Sequence, residues 1–490
     1  MKRHYIAVDL GAGSGRVIMG TIEKKLELEE CHRFPNRQIK AGPYYHWDVL
    51  NLFCEIKTGL QKAKQLACAP IAGIGVDSWG VDFALLDQKG MLISNPVCYR
   101  DARTDGIMQK TFERLSAKSI YESTGLQFMQ INTLFQLVSM LDTQPMLFKA
   151  ADTLLMMPDL FNYLLTGEKM AEYTIASTSQ LLNARTRSWD ESLFQPLDLP
   201  FDIMPEITLP GNVLAPLLPD LQSEIGLKGI DVINSAGHDT ACAVAAVPGQ
   251  GDNWAYLSSG TWSLIGIEVS EPVINHASLD HNFTNEGGVD KKIRFLKNVM
   301  GMWLLEGCIK QWKKMDESIT YEQLIKKAKA AAPFKAVINP DDHSFLNPFD
   351  MVKTIQAFCR NSGQPVPHSP GMTTRIILES LALRYRWVLE KIQQVQNRKI
   401  DTLHIVGGGS QNDLLNQFTA NATGCQVVAG SAEATAAGNI LMQAIAGDDI
   451  DSVQTGRNII ASSYSLKRFS PENSTEWDRA YENALTILNT

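Results

Sequence analysis

Hydrophobic and polar positions follow two rhythms along the chain. Ile6-Ala7-Val8 is an apolar run that ends at Asp9 and meets Gly11, Gly13 and Gly15. Arg16-Val17-Ile18-Met19 follows directly, a pattern that predicts strand, glycine turn, strand. Leu26 and Leu28 alternate with charged residues, the period of a half-exposed strand. From Asp48 the spacing lengthens. Leu50, Phe53, Ile56, Leu60, Ala63 and Ala67 recur at three and four, which predicts a helix to about Ala67 with Asp48 as its N-cap. Ile71 to Val76 reads as a short buried strand, and Val81, Phe83 and Leu85 as another, closed by the turn Asp87-Gln88-Lys89-Gly90.

Pro196, Pro200, Pro205, Pro210, Pro216 and Pro219 crowd the stretch that follows. It is expected to be neither a regular helix nor a central strand. A second strand-and-loop block comes after it. Val232-Ile233-Asn234 leads to Gly237-His238-Asp239-Thr240, and Trp254 to Leu257 leads to Ser258-Ser259-Gly260-Thr261-Trp262-Ser263. Ile377, Leu381, Tyr385, Val388 and Ile392 share one face of a long helix expected from about Thr373 to Gln396. Leu403 to Val406 is a strand before Gly407-Gly408-Gly409, and Leu414, Leu415 and Phe418 open another helix. Strands mixed with long helices predict an α/β protein whose two halves repeat one architecture without repeating a sequence.

Composition narrows the function classes. The 490 residues are 44% hydrophobic and 20% charged, enough for a large core and too little charge for a disordered chain. A net charge of −8 supplies no global basic field, so no nucleic acid and no anionic membrane surface is expected as a partner. No apolar run reaches 18 residues and the N-terminal one is too short for a signal-peptide core, so a cytoplasmic protein is expected. Eight cysteines stand far apart with no C-x-x-C spacing, which predicts reduced thiols rather than disulfides or a metal cluster. His404 reads as a core histidine, and Trp189, Trp303 and Trp387 as core.

Three glycine- and hydroxyl-rich turns carry the candidate chemistry. In Asp9 to Arg16, glycines let backbone N–H groups converge on an anion, with Ser14 and Arg16 as further donors. The spacing fits neither a P-loop nor a dinucleotide fingerprint, and a strand rather than a helix follows. A tight hairpin is the alternative. Ser258-Ser259-Gly260-Thr261 is a second such turn, and a loop in each half suits a polyphosphate. Gly407-Gly408-Gly409 admits a close approach to the backbone, by a flat ring or in an unusual turn of the chain itself. Asp77-Ser78-Trp79-Gly80-Val81-Asp82 places two carboxylates at a strand junction. Asp239 at a strand end is either a helix N-cap or a base for a hydroxyl nucleophile.

Taken together, Asp9 to Arg16, Ile74 to Phe83, Met157 to Gly167, Gly237 to Thr240, Leu257 to Ser263 and Val406 to Asn412 resemble the FGGY carbohydrate kinases over nearly the whole chain. Tyr45 to Val49, Asn285-Glu286-Gly287-Gly288 and Leu296 to Gly301 are most similar to the members acting on L-rhamnulose. The resemblance implies a two-lobed actin/hexokinase/Hsp70-like (ribonuclease H-like) fold with the active site in the interlobe cleft, residues 1–245 forming the N-terminal lobe and 246–490 the C-terminal lobe. It implies ATP-dependent phosphorylation of the ketose at O1, in L-rhamnose catabolism, by a monomer or small homo-oligomer.

Carried over by motif, Asp239 would be the general base. His238, Thr240, Gly80 and Asn298 would line the sugar. Ala12, Gly13, Ser14, Gly15, Arg16 and Thr261 would hold the ATP phosphates, with Glu306 and Gly408 at the nucleoside. Asp9 would order Mg²⁺ through water. Glu306 stands where related kinases carry Gln, and a carboxylate donates no hydrogen bond unless protonated. Gly13 replaces a common Ser in a loop whose backbone does the cradling. The competing readings are a kinase for L-fuculose, D-xylulose or glycerol, and a non-enzymatic ATP-binding module of the same superfold. A dinucleotide-dependent dehydrogenase fails on the glycine spacing.

Overall fold

The strand His4–Leu10 is buried at every position and organises the first of two structural units. In the computed structural model, which describes residues 2–489, it pairs antiparallel with Ser14–Ile22, which pairs antiparallel with Leu26–Pro35. On its other side lies Ile71–Ser78, parallel, then Asp231–Asn234, parallel, and at the edge Asn212–Pro216, antiparallel. Pro216 thus ends an edge strand, where a missing N–H costs no central ladder bond.

Successive side chains of a strand face opposite sides, and Ser14–Ile22 uses this to bind a helix on each. A Cβ on Gly59 of the helix Val49–Leu66 would meet Val17, whereas one on Gly20 would meet Ile440 of Ala434–Ala446. The result is helix, sheet, helix. The Asp48 carboxylate accepts from Asn51 N at 3.2 Å and caps the first of these helices.

Two expectations are corrected here. The buried stripe of Val49–Leu66 is Val49, Leu52, Ile56, Gly59, Leu60 and Ala63, and Leu50 is 61% exposed. The expected strand through Val81 begins only at Phe83. Val81 has a φ of +69° and lies in a tight turn in which Asp82 N donates to Gly80 O, a conformation rare for a β-branched residue.

The first unit comprises residues 1–248, 268–295 and 433–464, and the second 249–267, 296–432 and 465–490. The units are therefore not contiguous halves of the chain. A second core in the first unit gathers Leu134, Phe135, Leu154 and Phe194. A second, seven-stranded sheet runs Thr284–Gly287, Ile293–Met300, Trp262–Val269, Trp254–Ser259, Thr402–Val406, Gln426–Ala429, Lys467–Phe469. Trp254–Ser259 has an antiparallel hairpin neighbour and a parallel partner, Thr402–Val406, the same pairing that His4–Leu10 has in the first unit. The long helix Pro370–Gln396 is capped by Ser369, whose hydroxyl accepts from Met372 N at 3.3 Å. His404 is buried edge-on against Trp254. Trp387 is buried, but Trp189 and Trp303 are half-buried, with their N–H groups on Pro205 O and Phe345 O. All eight cysteines are free. No helix among the described residues is long and apolar enough to cross a membrane.

Candidate active site

The first turn is a β-hairpin. Gly11 N donates to Ser14 O at 2.9 Å, and Asp9 lies opposite Arg16 in the ladder. None of Gly11, Gly13 and Gly15 has a positive φ. Gly15 is small because a Cβ would strike the Phe34 ring at 2.2 Å, while Gly13 faces open space. Asn36 takes the carbonyls of Gly11 (2.9 Å, side chain) and Gly13 (3.1 Å, backbone). The amides of Ala12 and Gly13 have no acceptor among the described residues, which is the state an anion cradle requires. The Arg16 guanidinium is occupied: it bridges Asp9 and Glu433, and no local sequence pattern points to Glu433.

Parallel pairing sets Asp77 beside Asp9. Asp77 is fully buried, with Oδ2 accepting from Asn439 Nδ2 at 2.6 Å and Oδ1 without a partner. Burial, then the charges of Asp9 and Asp239, push its carboxyl well above the usual range. A cation bound beside these clustered carboxyl groups, one of whose oxygens is unsatisfied, would offset the cost of ionising them in a buried place. Among the described residues no three His, Cys, Asp or Glu side chains converge as direct metal ligands.

One residue further along the same strand, Ser78 N donates to Gly237 O at 2.9 Å and bridges to His238. This delivers His238-Asp239-Thr240 to the same strand ends. The N-cap of the helix Asp239–Ala245 is His238, and Asp239 is its first residue, so Asp239 is not the N-cap. Its side chain is 26% exposed. Burial first, then the neighbouring charge of Asp9, raise its carboxyl to about 7. His238 is pushed down by burial and by the Arg294 guanidinium. Arg294 and Glu286 border this triplet, Arg294 Nη1 donating to Thr240 Oγ1 at 2.8 Å. The sequence signal for Arg294 is a charged residue inside the apolar run Ile293 to Leu296.

Gly80 packs on Thr178, which a Cβ would meet at 3.2 Å. Its neighbour Asp82 is an anchor rather than a reagent. It is fully buried and accepts from Trp47 Nε1 (2.6 Å), Trp79 Nε1 (3.0 Å), Tyr99 N (3.2 Å) and Gln136 Nε2 (3.1 Å). Burial raises it, against these bonds, to about 6.

In the second unit, Thr261 sits in a turn clamped by the chain: Gly301 N and Trp303 N both donate to Thr261 O, at 3.1 and 3.2 Å. The glycine triplet is now divided. A Cβ on Gly407 would lie 2.9 Å from Ser259 O, and one on Gly409 would lie 2.0 Å from Ser259 Oγ, whereas Gly408 has nothing within 4 Å. The close approach at Gly407 and Gly409 is thus made by the protein's own strand, and Gly408 alone is open. Asn412 Nδ2 donates to Tyr321 OH at 2.9 Å, and Tyr321 is raised to about 12 by burial, with Glu306 adding to it. Glu306 is thus within electrostatic reach of Tyr321, which holds the segment following Gly408 through Asn412. Asn298 is half-buried on Ile293–Met300.

The model of the FGGY carbohydrate kinase N-terminal domain matches residues 4–246 and that of the C-terminal domain residues 255–447. The chain is 47% identical over 482 residues to a rhamnulokinase of Bacteroides thetaiotaomicron, covering 98% of each. It is 43% identical to one of Enterobacter sp. (97% of this chain, 96% of the relative) and 40% identical to one of Bacillus subtilis (96% of each). Among solved structures, a gluconate kinase of Lactobacillus acidophilus superposes with TM-score 0.83 at 16% identity, covering 100% of this chain and 98% of its own. A xylulose kinase from the same organism gives 0.83 at 16%, covering 99% and 98%.

Proposed function

Because the chain belongs to the FGGY family of carbohydrate kinases and is an ATP-dependent sugar kinase, we propose that its substrate is L-rhamnulose, phosphorylated at O1 to give L-rhamnulose 1-phosphate and ADP. The observation that carries the mechanism is Asp239: a carboxyl at a strand end, raised to about 7, where a base for a sugar hydroxyl works at neutral pH. The choice of sugar rests on the full-length likeness to rhamnulokinases.

In this reading the O1–H bond breaks as O1 attacks the γ-phosphorus. The proton passes to an oxygen of Asp239, and the bond from the γ-phosphorus to the bridging oxygen breaks to release ADP. His238, Thr240, Gly80 and Asn298 orient the sugar. The amides of Ala12 to Gly15 and the Thr261 turn receive the phosphates, and Gly408, with Glu306, meets the nucleoside. Arg16 exchanges a carboxylate for phosphate oxygen, and Glu433, 38% exposed, is the partner that yields. Asp9 and Asp77 would hold a hydrated Mg²⁺, which when bound supplies positive charge to the phosphates. A step in sugar breakdown that consumes ATP belongs in the cytoplasm, where the free thiols stay reduced.

The test is ADP release with Mg·ATP and, separately, L-rhamnulose, L-fuculose, D-xylulose, L-ribulose and glycerol. Preferential turnover of L-rhamnulose is expected. Preference for another sugar would overturn the substrate and leave Asp239 and the ATP loops. ADP release indifferent to every sugar would overturn the assignment of the site.

A further inference from the structure

Arg294 is wholly buried, directs hydrogen bonds to three neighbours and forms an ion pair with a fourth. Nε donates to Gly287 O at 2.8 Å, Nη1 to Thr240 Oγ1 at 2.8 Å, and Nη2 lies 3.0 Å from His238 Nδ1 and 3.2 Å from Glu286 Oε2. A guanidinium carries five N–H donors, no acceptor, and never loses its charge. Whatever sits within hydrogen-bond reach of it must accept.

That rule fixes hydrogens which geometry alone leaves open. Nδ1 of His238 must present its lone pair, so the ring is neutral and its one hydrogen is on Nε2. An imidazolium, or the Nδ1–H tautomer, would set two N–H donors head to head at 3.0 Å. The Glu286 carboxylate, 3.5 Å from Nδ1, is nearer the guanidinium and pairs with it. Thr240 Oγ1 also accepts from Arg294, so its own hydrogen points elsewhere. The His238 Nε2–H lies on the side of Asp239 Oδ1 (3.5 Å) and Thr240 Oγ1 (3.1 Å). The backbone beneath is pinned independently, Gly237 N donating to Glu172 Oε2 at 2.9 Å and His238 N to Thr174 Oγ1 at 3.1 Å.

We propose that Arg294 is a positioning residue that sets the hydrogen-bond polarity of the sugar site: it holds His238 as the neutral Nε2–H tautomer and Thr240 as an outward O–H donor, leaving Asp239 the sole proton acceptor of the three. His238 is then barred from acting as a base, because its lone pair is taken, and a sugar oxygen that it reads must compete with Asp239 Oδ1 and Thr240 Oγ1 for its one hydrogen. Burial and the nearby guanidinium both disfavour the imidazolium, in keeping with this. The inference rests on the kinase reading for the identity of the oxygen that is read, but not for the tautomer.

The experiment is a long-range ¹H–¹⁵N correlation spectrum of the full-length, ligand-free protein labelled with ¹⁵N-histidine, with His238 assigned by its loss in His238→Asn. An unprotonated Nδ1 and a protonated Nε2 are expected, unchanged through the ordinary histidine value of ~6.5. An Nδ1–H tautomer, or protonation near that value, overturns the proposal without touching the kinase assignment. Failure of every sugar to turn over would overturn the kinase assignment and leave the tautomer standing. Arg294→Met should give mixed tautomers and lower kcat/KM for the sugar roughly 10–100-fold, the worth of a hydrogen bond from a charged donor, with KM for ATP unmoved. Arg294→Lys, which keeps one charged donor, should fall between. A folded Arg294→Met with the wild-type tautomer and sugar kinetics refutes the role, and if that variant fails to fold the wild-type spectrum decides.

Discussion

Replacing Asp239 by asparagine separates what this carboxyl does for catalysis from what it costs the fold. Its ordinary value is 3.8, and burial with the nearby charge of Asp9 raises it to about 7. The folded state therefore binds this proton more tightly than the unfolded chain. The sign follows: the contribution to stability is fully present below the ordinary value, declines as pH rises from about 4, and is lost as pH passes the folded value of about 7. At about 1.4 kcal/mol per pH unit, the charged carboxylate above pH 7 costs at most about 4 kcal/mol relative to a neutral group there. Asp239→Asn removes that cost. It should raise the thermal midpoint above pH 7 and lose this advantage as pH approaches 4, while sugar-dependent ADP release falls roughly 10²–10⁴-fold. In the wild type, kcat/KM should rise with pH through about 7 as the base ionises. Thermal unfolding across pH, paired with the coupled ADP assay, reads both effects. Near-wild-type turnover, or a variant less stable than wild type above pH 7, would refute the reasoning.

The glycine triplet gives a matched pair. Gly408→Ala has open space around it and should fold normally with KM for ATP raised about tenfold or more, whereas Gly409→Ala, driven against Ser259, should lower the thermal midpoint first. Equal behaviour in both assays would contradict the division. Glu306→Gln restores an amide able to donate and should lower KM for ATP a few-fold, about 1 kcal/mol for one hydrogen bond. A rise in KM would sink that contact. Asp82→Ala takes the acceptor from the buried indole N–H groups of Trp47 and Trp79 and should destabilise by about 3 kcal/mol, read as a lowered thermal midpoint or loss of folded protein on expression. A thermal midpoint like the wild type's would show that Asp82 is no anchor.

The hairpin at Gly11 to Gly15 was legible because a strand, not a helix, follows the glycines. The long helix was legible from its apolar face, and the likeness of the two halves from the order strand, turn, strand. What escaped the sequence has physical causes. The helix after Asp48 buries Ile56, Leu60 and Ala63 as its spacing predicts, but its first turns bury Val49 and Leu52 in place of Leu50 and Phe53, since Leu50 is apolar yet exposed. Val81 looks like strand from its side chain, but Thr178, Thr133 and Gln136 hold its backbone by hydrogen bonds to N and O. Glu433 reaches Arg16 from 417 positions away, a distance no local pattern spans. Gly407 to Gly409 announced a close approach but not by what, since strand pairing decides that Ser259 fills two of the three positions.

In the proposed mechanism Asp239 takes the O1 proton of L-rhamnulose during transfer from ATP. The most direct measurement is competition: the protein, Mg·ATP and equal concentrations of L-rhamnulose, L-fuculose, D-xylulose and glycerol, followed by ³¹P and ¹H–¹³C NMR. The account predicts that L-rhamnulose is consumed first and that the new phosphorus couples to the C1 methylene, with no product from Asp239→Asn on the same timescale. Phosphate on another carbon, another sugar consumed first, or product formed by the variant at the wild-type rate would contradict it.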